Sequence, residues 1–278
     1  MFKAPILFLV FLVLFSFISK DKFVSDKFSA PPGTVQVSDS LYIDKCEVSN
    51  LAWREFIYYT LSEKKDAAGY QKMLPDTNVW KTQLFNNSEY VNFYFRLPDY
   101  QDYPVVGISY EQAQAFCEWR TERVNELLER MPKAGFRKLL YRLPTKAEWE
   151  LAASGKLAVD KYPYGYENTE FRSRGKIYNT FNCLYERVDS NGHQTSNVIP
   201  VLSSEPNKYE IYNMIGNVSE LIAEKGIAKG GNYLTYIEDC KINNFQKYDH
   251  PTCWLGFRCL CEIIDKTPVI EKKGKKNH

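Results

Sequence analysis

From Tyr162 to the C-terminus the sequence carries only short apolar runs, interrupted every few residues by Gly, Asn, Pro or Tyr. Gly supplies positive φ, Pro fixes φ and removes a donor, and Asn side chains bond to the nearby backbone, so such a stretch turns often. Few regular elements are expected there, and no repeat with a period of roughly 20–50 residues is visible. Helices are readable upstream. Asn50 can cap a segment that carries Trp53, Phe56 and Ile57 on one face. Ser109 and Gln112 form a capping box, after which Ala113, Phe116, Cys117, Arg120, Val124, Leu127 and Leu128 keep helical spacing. Thr145 and Glu148 form a second box ahead of Trp149, Leu151 and Ala152. The sequence predicts a loop-rich α+β domain.

The chain has 278 residues, enough to bury a large core without disulfides. Lys and Arg number 36 against 34 Asp and Glu, a balance that argues against an electrostatic nucleic-acid binder. Hydrophobic residues at 44% exclude bulk disorder. Aromatics reach 15%. Tyr42, Tyr58, Tyr59, Tyr90, Phe93, Tyr94, Phe95 and Tyr100 either pack under long loops or line a peptide or glycan groove, and packing is the commoner use.

Lys3 stands before an apolar run over residues 4–18, closed by Lys20, Asp21 and Lys22. A run of about 15 residues suits the apolar region of an export signal and falls short of a ~20-residue span. Residues 1–20 are expected to be a signal peptide or an N-terminal anchor in the membrane. Residues 21–40, with Pro31-Pro32-Gly33, read as a linker, residues 41–262 as the domain, and residues 263–278 as a basic tail. Export to the periplasm or cell envelope makes the seven cysteines disulfide candidates, and their odd number leaves at least one without an intramolecular partner.

Four stretches then occur in a specific order. They are Tyr103-Pro104-Val105-Val106-Gly107-Ile108-Ser109 with Phe116-Cys117, and Tyr141-Arg142-Leu143-Pro144-Thr145 through Trp149-Glu150. Tyr212-Asn213-Met214-Ile215-Gly216-Asn217-Val218 follows, and the last is Lys229-Gly230-Gly231-Asn232-Tyr233 with Gly256-Phe257-Arg258-Cys259. Together they resemble the formylglycine-generating enzyme (sulfatase-modifying factor) family over about residues 41–262. The resemblance implies a loop-rich α+β fold related to C-type lectins, and a disulfide between Cys117 and Cys259. Two buried free thiols are the alternative there.

Members that oxidise a substrate cysteine carry a Cys-x4-Cys copper pair just after the Gly-Gly motif, since soft thiolates suit Cu(I). Here Thr235 holds the first position and Cys240 the second. Asn232 stands where the family usually has Ser, and Ser219 where it usually has Trp. A Thr hydroxyl is a poor Cu(I) ligand, so the resemblance implies no copper pair at these positions and leaves Cys240 as the one candidate catalytic residue. Cys253 lies nearby in sequence, and a Cys240–Cys253 disulfide or two buried thiols is favoured over a rebuilt metal pair. His193, His250 and His278 show no His-x3-His or similar spacing for a non-haem iron site.

The resemblance further implies a calcium loop at Asn213, Gly216, Val218 and Glu220, and a weaker one at Asn179, Thr180, Asn191 and His193, where Asn191 replaces the usual Asp. The other reading is that these asparagines only cap turns. The expected function is an exported, non-catalytic family domain acting as a binding or envelope-assembly module for a protein or peptide partner. The alternative is a copper-dependent oxidase that converts a protein cysteine to formylglycine.

Overall fold

A computed structural model of the chain describes residues 30–82, 85–86, 88–130, 138–173, 175–185 and 197–265. The expected leader, most of the basic tail, Asn191 and His193 lie outside the described residues. In chain order the first elements are β1 (Thr34–Gln36), β2 (Leu41–Asp44), α1 (Asn50–Ser62), α2 (Ala67–Lys72), β3 (Lys81–Thr82), β4 (Phe85–Asn86), α3 (Ser88–Phe93) and α4 (Tyr110–Glu129). Then come β5 (Lys138–Arg142), α5 (Lys146–Ala153), β6 (Glu170–Ser173), β7 (Lys176–Asn179) and β8 (Ser219–Leu221). The chain closes with β9 (Ile227–Lys229), β10 (Gln246–Lys247), β11 (Leu255–Gly256) and β12 (Leu260–Asp265). The fold is α+β.

Helix starts follow local chemistry. At α4 the Ser109 hydroxyl accepts from Gln112 N at 3.2 Å, and Gln112 Oε1 accepts from Ser109 N at 2.7 Å. At α5 Thr145 Oγ1 accepts from Glu148 N and Glu148 Oε2 accepts from Thr145 N, so both boxes form as read. The start of α1 corrects the reading by one residue. Ser49 is the cap, with extended backbone and its hydroxyl accepting from Ala52 N. Asn50 is the first helical residue, and its amide donates instead to the carbonyls of Tyr94 and Tyr100.

Two four-stranded sheets organise the rest, in the orders β1-β2-β12-β5 and β10-β9-β8-β11. The first is antiparallel throughout, and β11 pairs with β8 in parallel. The stretch read as a linker enters this first sheet. Val35 pairs with Ile43 across β1 and β2, and Val37 is buried, because the alternation of Val35 and Val37 with polar neighbours suits an edge hairpin. Beyond Tyr162 no described strand exceeds six residues, as the punctuation of the sequence requires.

The core has three apolar clusters. Trp53 anchors the first, stacked on Phe116 at 5.6 Å and edge-on to Phe257 at 6.0 Å. Trp149, Met214, Cys183 and Cys240 belong to the second. In the third, Trp80, Tyr90, Tyr94, Tyr100 and Tyr103 pack ring against ring, which accounts for much of the aromatic excess, while Tyr58 and Phe93 stay exposed. Among the described residues no helix is long and apolar enough to cross a membrane.

Candidate functional site

The segment Gly256-Phe257-Arg258-Cys259 runs between β11 and β12 and carries Arg258 into the interior with no exposed surface. A buried guanidinium needs compensation on every donor. Its Nε and Nη2 donate to Glu220 of β8 at 2.6–2.9 Å, and the remaining donors reach the carbonyls of Asp44 and Tyr212. Trp149 Nε1 of α5 adds a bond to Glu220 Oε2 at 2.7 Å. Burial opposes the charge on Arg258, but Glu220 overcomes it and holds the guanidinium above its ordinary pKa.

Glu47 lies beside this pair, and its two oxygens accept from the amides of Asn213 at 3.0 Å and Asn217 at 2.8 Å. Both asparagines take positive φ, a conformation that Asn tolerates better than most residues. Burial pushes the Glu47 carboxyl up to about 7, with Arg258 opposing and Glu220 adding to the rise.

These contacts bear on the first calcium loop. Asn213, Gly216 and Val218 are buried in the segment that leads into Glu220, but both oxygens of Glu220 are taken by Arg258 and Trp149, with a guanidinium nitrogen at 2.6 Å. Asn213 Oδ1 accepts from Ser204 Oγ. A divalent cation would meet a cation already in place, so the residues present do not fit calcium. For the second loop Asn179 is exposed and the Thr180 hydroxyl donates to Asn168 O at 3.4 Å. Its other two residues are outside the described chain.

The second site surrounds Thr235. An open cleft of about 500 Å³ is lined by Thr235, Asp239, Asn243, Asn244, Phe245 and Gln246. The three departures from the family pattern are hydrogen-bonded to one another beside it. Asn232 N donates to Thr235 Oγ1 at 3.2 Å, Asn232 Nδ2 to Ser219 Oγ at 2.9 Å, and the Ser219 hydroxyl to Gln246 Oε1 at 3.4 Å. Gln246 also accepts from Gly231 N and donates to Asp239 O. Gly231 is required here: φ is +68°, and a Cβ would lie 2.3 Å from Cys240 Sγ.

Cys240 has no exposed surface, and its thiol donates to Tyr236 O at 3.3 Å. Contact with the Cys183 thiol, and then burial, push Cys240 far above the ordinary thiol range. The Cys240 thiol, bonded to Tyr236 O, has no second soft ligand at the other family position. With Thr235 Oγ1 already accepting from Asn232, the residues at the two family positions do not fit a copper pair. Cys253 packs in the third cluster, away from Cys240 in the second, so the two are buried thiols that are not paired with each other. Cys117 on α4 and Cys259 are brought together as thiols with sulfurs 3.5 Å apart, and no bond joins them.

Sequence reading missed Cys183, Gln246 and the role of Glu47. Each acts through a residue far away in the chain, so no spacing rule exposes it.

The buried Arg258–Glu220 pair and the cleft at Thr235 sit on the scaffold of a sulfatase-modifying factor domain. Residues 15–263 match the sulfatase-modifying factor enzyme 1-like domain, and the chain belongs to that family. It is 25% identical over 282 residues to the formylglycine-generating enzyme of Mus musculus, across 84% of this chain and 69% of that protein. The formylglycine-generating enzyme of Thermomonospora curvata is 29% identical over 281 residues, across 84% of this chain and 86% of its own. The inactive C-alpha-formylglycine-generating enzyme 2 of Bos taurus is 30% identical over 125 residues, across 45% of this chain and 34% of that protein.

Proposed function

We propose that this chain is an exported, non-catalytic member of the family that serves as a binding module of the cell envelope, with the cleft at Thr235 and Gln246 taking a protein or peptide partner. One observation carries the reading. The hydroxyl of Thr235 accepts from Asn232 N, and the buried thiol of Cys240 donates to Tyr236 O, so no pair of thiols faces the cleft. The residues that line it, Asn243, Asn244 and Gln246 with the half-exposed Phe245, offer amide partners for peptide backbone and one apolar contact. An inactive relative gives precedent for a family domain without the oxidase activity. The apolar run over residues 4–18 supports export.

The relatives named as formylglycine-generating enzymes favour a second reading, an oxidase of protein cysteines. Aerobic incubation with a cysteine-containing peptide and added copper separates the two. The peptide thiol is expected to be recovered without aldehyde product, and aldehyde formation dependent on the protein overturns the binding-module reading.

A further inference from the structure

The proposed function does not use one pair of buried cysteines that share a cluster. Cys183 and Cys240 are both buried in the second apolar cluster, beside Trp149 and Ile242. The neighbouring Cys183 thiol raises the pKa of Cys240. Their backbones are stitched together on one side of this pair. Leu184 N donates to Thr235 O at 2.9 Å and Ile237 N to Leu184 O at 2.8 Å, forming a parallel bridge between Leu184 and Tyr236. Gly231 leaves the space that the Cys240 sulfur fills. The two buried thiols thus belong to one apolar cluster, on segments remote in sequence whose backbones are bonded to each other.

We infer that Cys183 and Cys240 close to a disulfide that ties the cleft wall at residues 235–240 to the segment at residues 181–185. The oxidant is a disulfide, either a small molecule or a protein dithiol–disulfide carrier, acting by exchange. One cysteine attacks a sulfur of the oxidant, forming a mixed disulfide and releasing one oxidant thiol. The second cysteine attacks its partner's sulfur, closes the internal bond and releases the second oxidant thiol. The pair loses two protons and two electrons, and the oxidant disulfide gains them. Exchange during folding, before the cluster closes, needs no path to the buried sulfurs. The bond also withdraws the Cys240 sulfur from any metal. This goes beyond the proposed function, because a disulfide here is compatible with any partner in the cleft.

The test refolds the full chain from denaturant in a buffer of oxidised and reduced glutathione, alkylates it in denaturant and maps its peptides without reduction. A linked peptide containing Cys183 and Cys240, about 2 Da lighter than the two thiol peptides together, is the expected result. Cys183→Ser is expected to leave Cys240 open to the alkylating agent, and reduction should lower the melting temperature of the wild type by several degrees more than that of the variant. Recovery of Cys240 alkylated in the oxidised wild type overturns the inference, as does its linkage to any other cysteine. So does tight Cu(I) binding by the glutathione-treated wild type that Cys183→Ser abolishes. If the variant fails to fold, the peptide map of the wild type still decides. Aldehyde production in the peptide assay bears on the binding-module reading and leaves this map unaffected.

Discussion

Arg258 has no contact with water, so its charge depends on the groups around it. Glu220 supplies the compensating carboxylate and Trp149 the remaining donor. Removing one member of a buried pair leaves an uncompensated charge and costs about 3–5 kcal/mol, whereas replacing both with apolar groups is far milder. Glu220→Leu is therefore expected to lower unfolding free energy by about 3–5 kcal/mol in denaturant titrations. The double variant Arg258→Met with Glu220→Leu is expected to lose much less than the sum of the two single changes. Additive losses would show that the pair does not act as a unit. From sequence, Glu220 was legible only through its family position, where it pointed to calcium. Its partner lies 38 residues away, across β11, and spacing alone never exposes such a pair. The same holds for Glu47, which meets Asn213 and Asn217 at separations of 166 and 170 residues.

Elements whose signals are local were the ones read correctly. The boxes at Ser109 and Thr145 close within four residues, so α4 and α5 were visible from composition and spacing. Helices α2 and α3 have six residues each, too few to show a period. The strands after Tyr162 are set by pairing with distant partners, and β1 was hidden inside a polar stretch.

At α5 the cap is also a link to β5. Glu148 accepts from Arg142 Nη1 at 2.7 Å and Nη2 at 2.8 Å as well as from Thr145 N. The Arg142 bonds, against some burial, hold its carboxyl down to about 2. Because the folded value lies below the ordinary 4.5, Glu148 contributes stability above pH 4.5 that is lost as pH falls toward 2. Glu148→Gln keeps a cap acceptor and removes the charge. It is expected to be about 1 kcal/mol less stable than wild type at neutral pH, a figure discounted for partial exposure. Thermal melts across the acid range should show that gap closing toward pH 2, and a gap that stays constant would place the loss in the cap geometry alone.

Over the whole molecule, one long-range contact joins α4 to the segment entering β12. Cys117 and Cys259 are 142 residues apart in sequence, and their thiols meet at 3.5 Å. The meeting is fixed from both sides. Arg120, one turn beyond Cys117, donates to Asp44 Oδ2 at 2.7 Å, and the same oxygen accepts from Cys259 N at 2.9 Å. Asp44 thus bonds to both helix and strand without a covalent link between the sulfurs. Burial and the neighbouring thiol raise Cys259 well above the ordinary range, so a folded, reduced chain exchanges slowly with external disulfides. Oxidation during folding has no such obstacle. A bond closed there removes conformational freedom from an unfolded loop of more than a hundred residues, a gain of about 5 kcal/mol on the chain-entropy account. Protein refolded in a glutathione redox buffer is accordingly expected to hold the Cys117–Cys259 link in its peptide map. Cys117→Ala refolded in the same way should show a lower midpoint in denaturant than the oxidised wild type. It should match the fully reduced wild type to within about 1 kcal/mol after allowance for the lost sulfur. Equal midpoints for the oxidised wild type and the variant would show that Asp44 and the Trp53 cluster, and no covalent bond, hold the two halves of the chain together.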